Sequence, residues 1–129
     1  MAGDLLLDTS LVVDVLSQKP AAERIVEDAD ALFLPVPALG ELHLGVQRSL
    51  RPDAALARLT SFVALVDVLD CDSETARIYG DVKAVLLAKG RPLPENDIWI
   101  ASLARQHGLT VATRDAHFSE VAGLSLLSW

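Results

Sequence analysis

The apolar positions change period along the chain in a regular way. Leu5-Leu6-Leu7 is a short, wholly apolar run, as expected of a central parallel strand buried on both faces. Thr9 or Ser10 can cap a following helix in which Leu11, Val12, Val15 and Leu16 form a buried face. Pro20 ends that helix, and Ala21 to Glu27 reads as a second, short one. Leu32-Phe33-Leu34, stopped by Pro35, is the next strand. Pro37 suits the first turn of a helix running to about Arg48, with Leu39, Leu42 and Val46 inward. Asp53 can cap a helix from Ala54 to about Phe62, and the stretch Val63 to Leu69, apolar except for Asp67, holds a third strand.

Asp72 or Ser73 starts a long helix with Ile78, Val82, Val85 and Leu86 inward, closed by Gly90. Arg91-Pro92-Leu93-Pro94 is a stiff loop. Asn96 or Asp97 can cap the next helix, whose Ile98, Ala101 and Ala104 recur three apart. His107-Gly108 closes it, the glycine supplying the left-handed residue common at helix ends. Leu109, Val111 and Ala112 form a buried strand, left by Thr113-Arg114-Asp115. Ala116 to Val121 is a turn or short helix, and Leu124 to Leu127 a last strand at a sheet edge. This alternation predicts a three-layer α/β/α fold around a central, mainly parallel sheet, with residues 1–129 as one domain.

Composition narrows the class. Half-hydrophobic content (51%) with 22% charged residues is that of a globular chain. A lone Cys71 excludes an internal disulfide and a multi-cysteine zinc site, and fits a reducing compartment. Met1-Ala2-Gly3-Asp4 has no basic region before its short apolar run, so no signal peptide is expected, and a soluble, cytoplasmic protein is. The net charge of −7 argues against a protein that coats nucleic acid through a basic face. It leaves room for an enzyme that uses carboxylates to hold cations against phosphates.

Acids stand where an α/β sheet places its ligands, outside the carboxyl ends of strands. Asp8 follows the first strand, Asp115 follows the strand after Gly108, Asp97 begins a helix, and Glu41 lies about one turn into another. Each has an ordinary reading: Asp8 and Asp97 as helix caps, Glu41 as a solvated helix residue, Asp115 as a turn residue. Their joint placement is what points to a metal pocket. Four carboxylates within ~5 Å would repel by roughly 3 kcal/mol per pair at an effective dielectric of 20, which a Mg²⁺ ion would relieve. Glu95 is a reserve ligand. Asp14, Glu23, Glu27, Asp28, Glu74 and Asp81 read as solvated helix residues, and Asp70 and Asp72 as caps. His43, His107 and His117 show no metalloprotease spacing, and Trp99 and Trp129 read as packing residues.

Leu5-Leu6-Leu7-Asp8-Thr9-Ser10, Gly40-Glu41-Leu42 with Gly45, Asn96-Asp97-Ile98-Trp99-Ile100-Ala101, and Thr113-Arg114-Asp115 with Phe118 follow one another as in PIN-domain ribonucleases. Over nearly its whole length the chain resembles the VapC-type toxins of bacterial and archaeal toxin–antitoxin pairs. The resemblance implies a Mg²⁺-dependent endoribonuclease, with Mn²⁺ as substitute, whose acidic quartet is Asp8, Glu41, Asp97 and Asp115. Thr9, Thr113 and Asn96 fall where the family places groups near the acids. A homodimer and a small antitoxin partner are implied as well.

Three alternatives compete. A haloacid dehalogenase-type phosphatase needs a second acid two residues after Asp8, where Ser10 stands. A phospho-receiver domain could use Asp70 as acceptor but lacks a lysine after Thr110 to Thr113. A non-catalytic RNA-binding relative would bind RNA without cutting it. Arg48, Arg51, Arg91 and Arg114 are the candidate RNA contacts.

Overall fold

The computed structural model describes residues 3–129; Met1 and Ala2, on which part of the signal-peptide reading rests, lie outside the described residues. Five strands, β1 (Asp4–Leu7), β2 (Ala31–Pro35), β3 (Asp67–Leu69), β4 (Thr110–Ala112) and β5 (Leu126–Leu127), form one sheet in the order β3-β2-β1-β4-β5. Every pairing is parallel. Leu5, Leu6 and Leu7 of the central strand are fully buried, and its one polar residue, Asp4, stands exposed at its start. β5 is an edge strand, as its place in the sequence suggested.

Between the strands run α1 (Thr9–Leu16), α2 (Pro20–Asp28), α3 (Val36–Gln47), α4 (Pro52–Val63), α5 (Ser73–Ala88) and α6 (Glu95–His107). A 3₁₀ turn, Ala116–Glu120, follows β4. The chain steps outward from β1 through β2 to β3, then returns to lay β4 on the other side of β1. Right-handed crossovers put α1 to α4 on one face and α5 and α6 on the other. By contact, α1 packs on α2 and α3, α3 on α4, and α5 on α6, while α3 also meets α6. Among the described residues no helix is long and apolar enough to cross a membrane.

Local chemistry explains the boundaries. Asp72 caps α5 with a reciprocal pair, its Oδ1 accepting from the Thr75 amide at 3.0 Å while Thr75 Oγ1 accepts from the Asp72 amide at 3.0 Å. Gly108 ends α6 in the left-handed region, φ 64°. Three expectations change. Asp97 is not a cap: α6 begins at Glu95 behind Pro94, which makes Asp97 its third residue. Likewise α4 starts at Pro52 and puts Asp53 inside the helix, because proline suits the first turn. Val85 is 57% exposed, since the buried stripe of α5 runs through Ile78, Val82 and Leu86 and leaves it aside.

Candidate active site

The strand order reverses between β1 and β4, and the crevice at such a switch point is where open α/β sheets bind ligands. Here it is a pocket of about 580 Å³ lined by Asp8, Thr9, Ser10, Glu41, Asp97 and Asp115, with Pro94, Glu95, Asn96 and His117. Asp8 leaves β1, Glu41 comes from α3, Asp97 from α6, and Asp115 from the turn after β4. All four acids singled out in the sequence therefore face one space.

Asp8 is the most constrained. It is 2% exposed and does cap α1, accepting from the Thr9 amide at 2.8 Å. The Thr113 hydroxyl donates to its Oδ2 at 2.7 Å and the Ser10 hydroxyl at 3.2 Å. Capping and a place in the pocket are thus held by one side chain. Burial, reinforced by the charges of Asp97 and Asp115 against the opposing Thr113 and Thr9 bonds, raises its pKa from 3.8 to about 6. Asp97, 8% exposed, is pushed up by burial and by Asp115, partly offset by His117.

His117 was given no role in the sequence beyond lacking metalloprotease spacing; its Nε2 lies 2.7 Å from Asp97 Oδ2, a hydrogen bond in the tautomer protonated there. The signal was its position at the start of a short turn that doubles back on the strand end. Thr113 Oγ1 also accepts the Asp115 amide at 3.0 Å, so one hydroxyl ties two of the acids. Glu95 is occupied elsewhere: Tyr79 donates to it at 2.5 Å and Lys83 pairs with it. Thr9 Oγ1 and Glu41 Oε1 are buried without a hydrogen-bond partner.

Carboxylate oxygens are the donors a hard divalent cation takes, and Glu41 Oε1 has lone pairs to give. The donor set fits such a cation in kind. Among the described residues, however, no group of three or more His, Cys, Asp or Glu side chains is arranged to hold one as it stands. The acids line the wall of the pocket and do not converge on a point.

Other sequence candidates fall elsewhere. Arg48 and Arg51 are exposed at the ends of α3 and α4, outside the pocket. Arg91 lines a neighbouring cavity of about 510 Å³ that shares His117 with the first. Asp70 follows the edge strand β3 and does not reach the pocket, against a receiver-like site. Asp14, expected on a solvated face, is buried at 2% exposure.

A family model described as PIN domain matches residues 5–124. A tRNA(fMet)-specific endonuclease VapC from Shigella flexneri is 34% identical over 127 residues, covering 96% of each chain. Among solved structures, a chain of DNA-bound VapBC from Salmonella typhimurium superposes with a TM-score of 0.90 at 30% identity, over 98% of both chains. VapBC2 from Rickettsia felis, bound to a promoter DNA fragment, gives 0.91 at 23% identity over 98% of both, a likeness of fold.

Proposed function

We infer that this chain, which belongs to the PIN-domain family, is a divalent-metal-dependent endoribonuclease and the toxin of a toxin–antitoxin pair. One observation carries the reading: Asp8, Glu41, Asp97 and Asp115 share a pocket in which Asp8 and Asp97 are held against their preferred ionisation. A stable fold gains nothing from such a cluster, and a cation site does.

Asp8, Glu41, Asp97 and Asp115 would hold Mg²⁺, or Mn²⁺ in its place. A bound cation of this kind makes water a stronger nucleophile and takes up charge on the phosphoryl and leaving oxygens. The chain's own residues do the rest. Thr113 and Ser10 fix the Asp8 carboxylate by two hydroxyl donors, and His117 fixes that of Asp97 through its imidazole Nε2. Their rotamers are thereby set before substrate arrives, which limits the reorganisation left for the reaction. Glu41, with its unpartnered oxygen, and Asp115, without a hydrogen bond to its carboxylate among those described, remain free to turn inward.

RNA is the substrate class, and the name of the Shigella flexneri relative makes tRNA the first to try. The likeness to VapBC from Salmonella typhimurium motivates the antitoxin partner. A surface for it adjoins the pocket: Val13, Leu16, Leu42, Val46 and Leu59 line an apolar cavity of about 280 Å³ that shares Thr9 and Glu41 with the acidic one. A peptide segment seated there would reach the acids. The enzyme acts in the cytoplasm and as a homodimer.

The test is cleavage of total RNA and of a transcribed initiator tRNA, with Mg²⁺ or Mn²⁺ and then with EDTA. Cleavage should require metal and be lost in Asp97→Asn. Cleavage that persists in EDTA, or that Asp97→Asn retains, overturns the assignment.

A further inference from the structure

Six residues along α1 from Asp8 a second carboxylate is buried, one that the pocket does not use. Asp14 Oδ2 accepts the Trp129 indole N–H at 3.0 Å and lies 3.2 Å from Arg114 Nε. Lys19 Nζ stands 3.3 Å from its other oxygen. The Arg114 guanidinium also lies over the Trp129 ring, Cζ 5.9 Å from the centroid. These partners outweigh burial and keep the Asp14 carboxyl below the usual carboxylate range.

The geometry around Arg114 shows what this arrangement does. Ser10 and Asp14 are four residues apart on α1, hence on one face and about 6 Å apart along the axis. Arg114 hangs on both. Its amide donates to Ser10 Oγ at 3.3 Å, and its Nε reaches Asp14. On one side of it Thr113 grips Asp8 at 2.7 Å; on the other, Asp115 lines the pocket. A residue fixed at its backbone and at its head group cannot roll, so neither can the turn it occupies.

We propose that Asp14 and Trp129 form a clasp that holds Arg114, and through it the Thr113–Asp115 turn, in register with Asp8. Arg114 is then a positioning residue: its guanidinium is turned to α1 and lies outside the lining of the pocket. The proposal rests on the reading of that pocket as a metal site. Groups that orient ligands from behind are worth about 10–100-fold in metal affinity.

Lys19 provides the control, because it touches the same carboxylate and holds nothing near the pocket. Two readouts on the full chain separate the cases: Mn²⁺ affinity by titration, and hydrogen exchange of the Asp115 amide, which is bonded to Thr113 Oγ1. Arg114→Ala and Asp14→Asn should each weaken Mn²⁺ binding about tenfold and speed exchange of the Asp115 amide by a similar factor. Arg114→Lys keeps the charge without the planar head group and should fall between. Lys19→Ala should change neither readout. Trp129→Phe, which keeps a smaller aromatic ring beside Arg114 and removes the indole donor to Asp14, gives a mild variant should the others fold poorly, and it should shift both readouts in the same direction. Equal effects of Lys19→Ala and Arg114→Ala would reduce Asp14 to a structural acid and overturn the clasp. So would unchanged readouts in Arg114→Ala and Trp129→Phe. If the wild type binds no Mn²⁺, the metal reading fails, and the exchange comparison alone decides the clasp.

Discussion

Replacing Asp8 by asparagine should stabilise the metal-free protein, although Asp8 is buried and makes three hydrogen bonds. A carboxyl whose pKa rises from 3.8 to about 6 on folding costs the fold about 3 kcal/mol once it is ionised, at 1.36 kcal/mol per unit. The sign follows from proton binding. The native state holds this proton more tightly than the unfolded chain, so the cost is absent below 3.8, grows between 3.8 and about 6, and is complete above that. Asparagine removes the charge and keeps the shape. Its oxygen can still accept the Thr9 amide, since asparagine caps helices as well as aspartate does. Its amide nitrogen would face the Thr113 and Ser10 hydroxyls, which must turn their protons away, at a cost of about 1 kcal/mol.

The net gain is then about 1–2 kcal/mol in EDTA at neutral pH, or roughly 3–8 °C in melting temperature for a domain of this size. Metal reverses the order. At a hundred times its dissociation constant Mn²⁺ should add about 2.7 kcal/mol to the wild type, and little to the variant. Thermal melts of both proteins in EDTA and in Mn²⁺, repeated near pH 4, provide the assay. The curves should cross on adding metal, and the EDTA difference should shrink in acid. An Asp8→Asn protein that melts below the wild type in EDTA and keeps the full metal shift would refute the reasoning and leave Asp8 a cap.

Asp14 should behave with the opposite sign. Its carboxyl is held below its ordinary 3.8 by Trp129, Lys19 and Arg114 against the pull of burial. It therefore stabilises the fold above that value and ceases to as pH falls through its lowered pKa; urea melts of wild type and Asp14→Asn should differ most near neutrality and converge in acid. Thr113→Val, nearly isosteric, takes the hydroxyl from Asp8 and strands the Asp115 amide, so it should cost about 1–3 kcal/mol and slow RNA cleavage. An undiminished rate with unchanged stability would count against that hydroxyl's role. Light scattering over a dilution series to tens of micromolar, a range typical of protein association, should give the mass of a dimer, and a constant monomer mass would exclude it.

Most of the fold could be read from local pattern, because local forces set it. The leucine run of β1, the reciprocal cap at Asp72 and the glycine that ends α6 depend on neighbours within four residues. The errors arose where a rule allowed several neighbours to serve. Asn96 and Asp97 both looked like caps, yet Pro94 had already fixed the backbone so that the helix begins at Glu95. That shift moves Asp97 from a helix end, where it would be solvated, into the first turn, where its side chain is buried. The same shift is what lets it face Asp8.

The site was legible as a set of acids and illegible as a network. Chain order and strand ends suffice to assemble Asp8, Glu41, Asp97 and Asp115, because parallel strands deliver their carboxyl ends to one edge. What holds them does not show in local sequence: Thr113 reaches Asp8 across 105 positions, His117 reaches Asp97 across 20, and Trp129 reaches Asp14 across 115. Asp14 shows why the difference matters. A charged residue on a short helix is normally solvated, and only the late arrival of Trp129 and Arg114 makes burial tolerable. The contacts to Asp8 and Asp14, with that of the Arg114 amide to Ser10, share a geometry. Helix α1 offers Asp8, Ser10 and Asp14 in succession, and the segments around and beyond β4 bind to each in turn. Because β4 lies directly beside β1, with Leu7 paired to Ala112, the contacts that orient Asp8 rest on that pairing. A substitution that loosens β4 on β1 should therefore disturb the acids before it unfolds the chain.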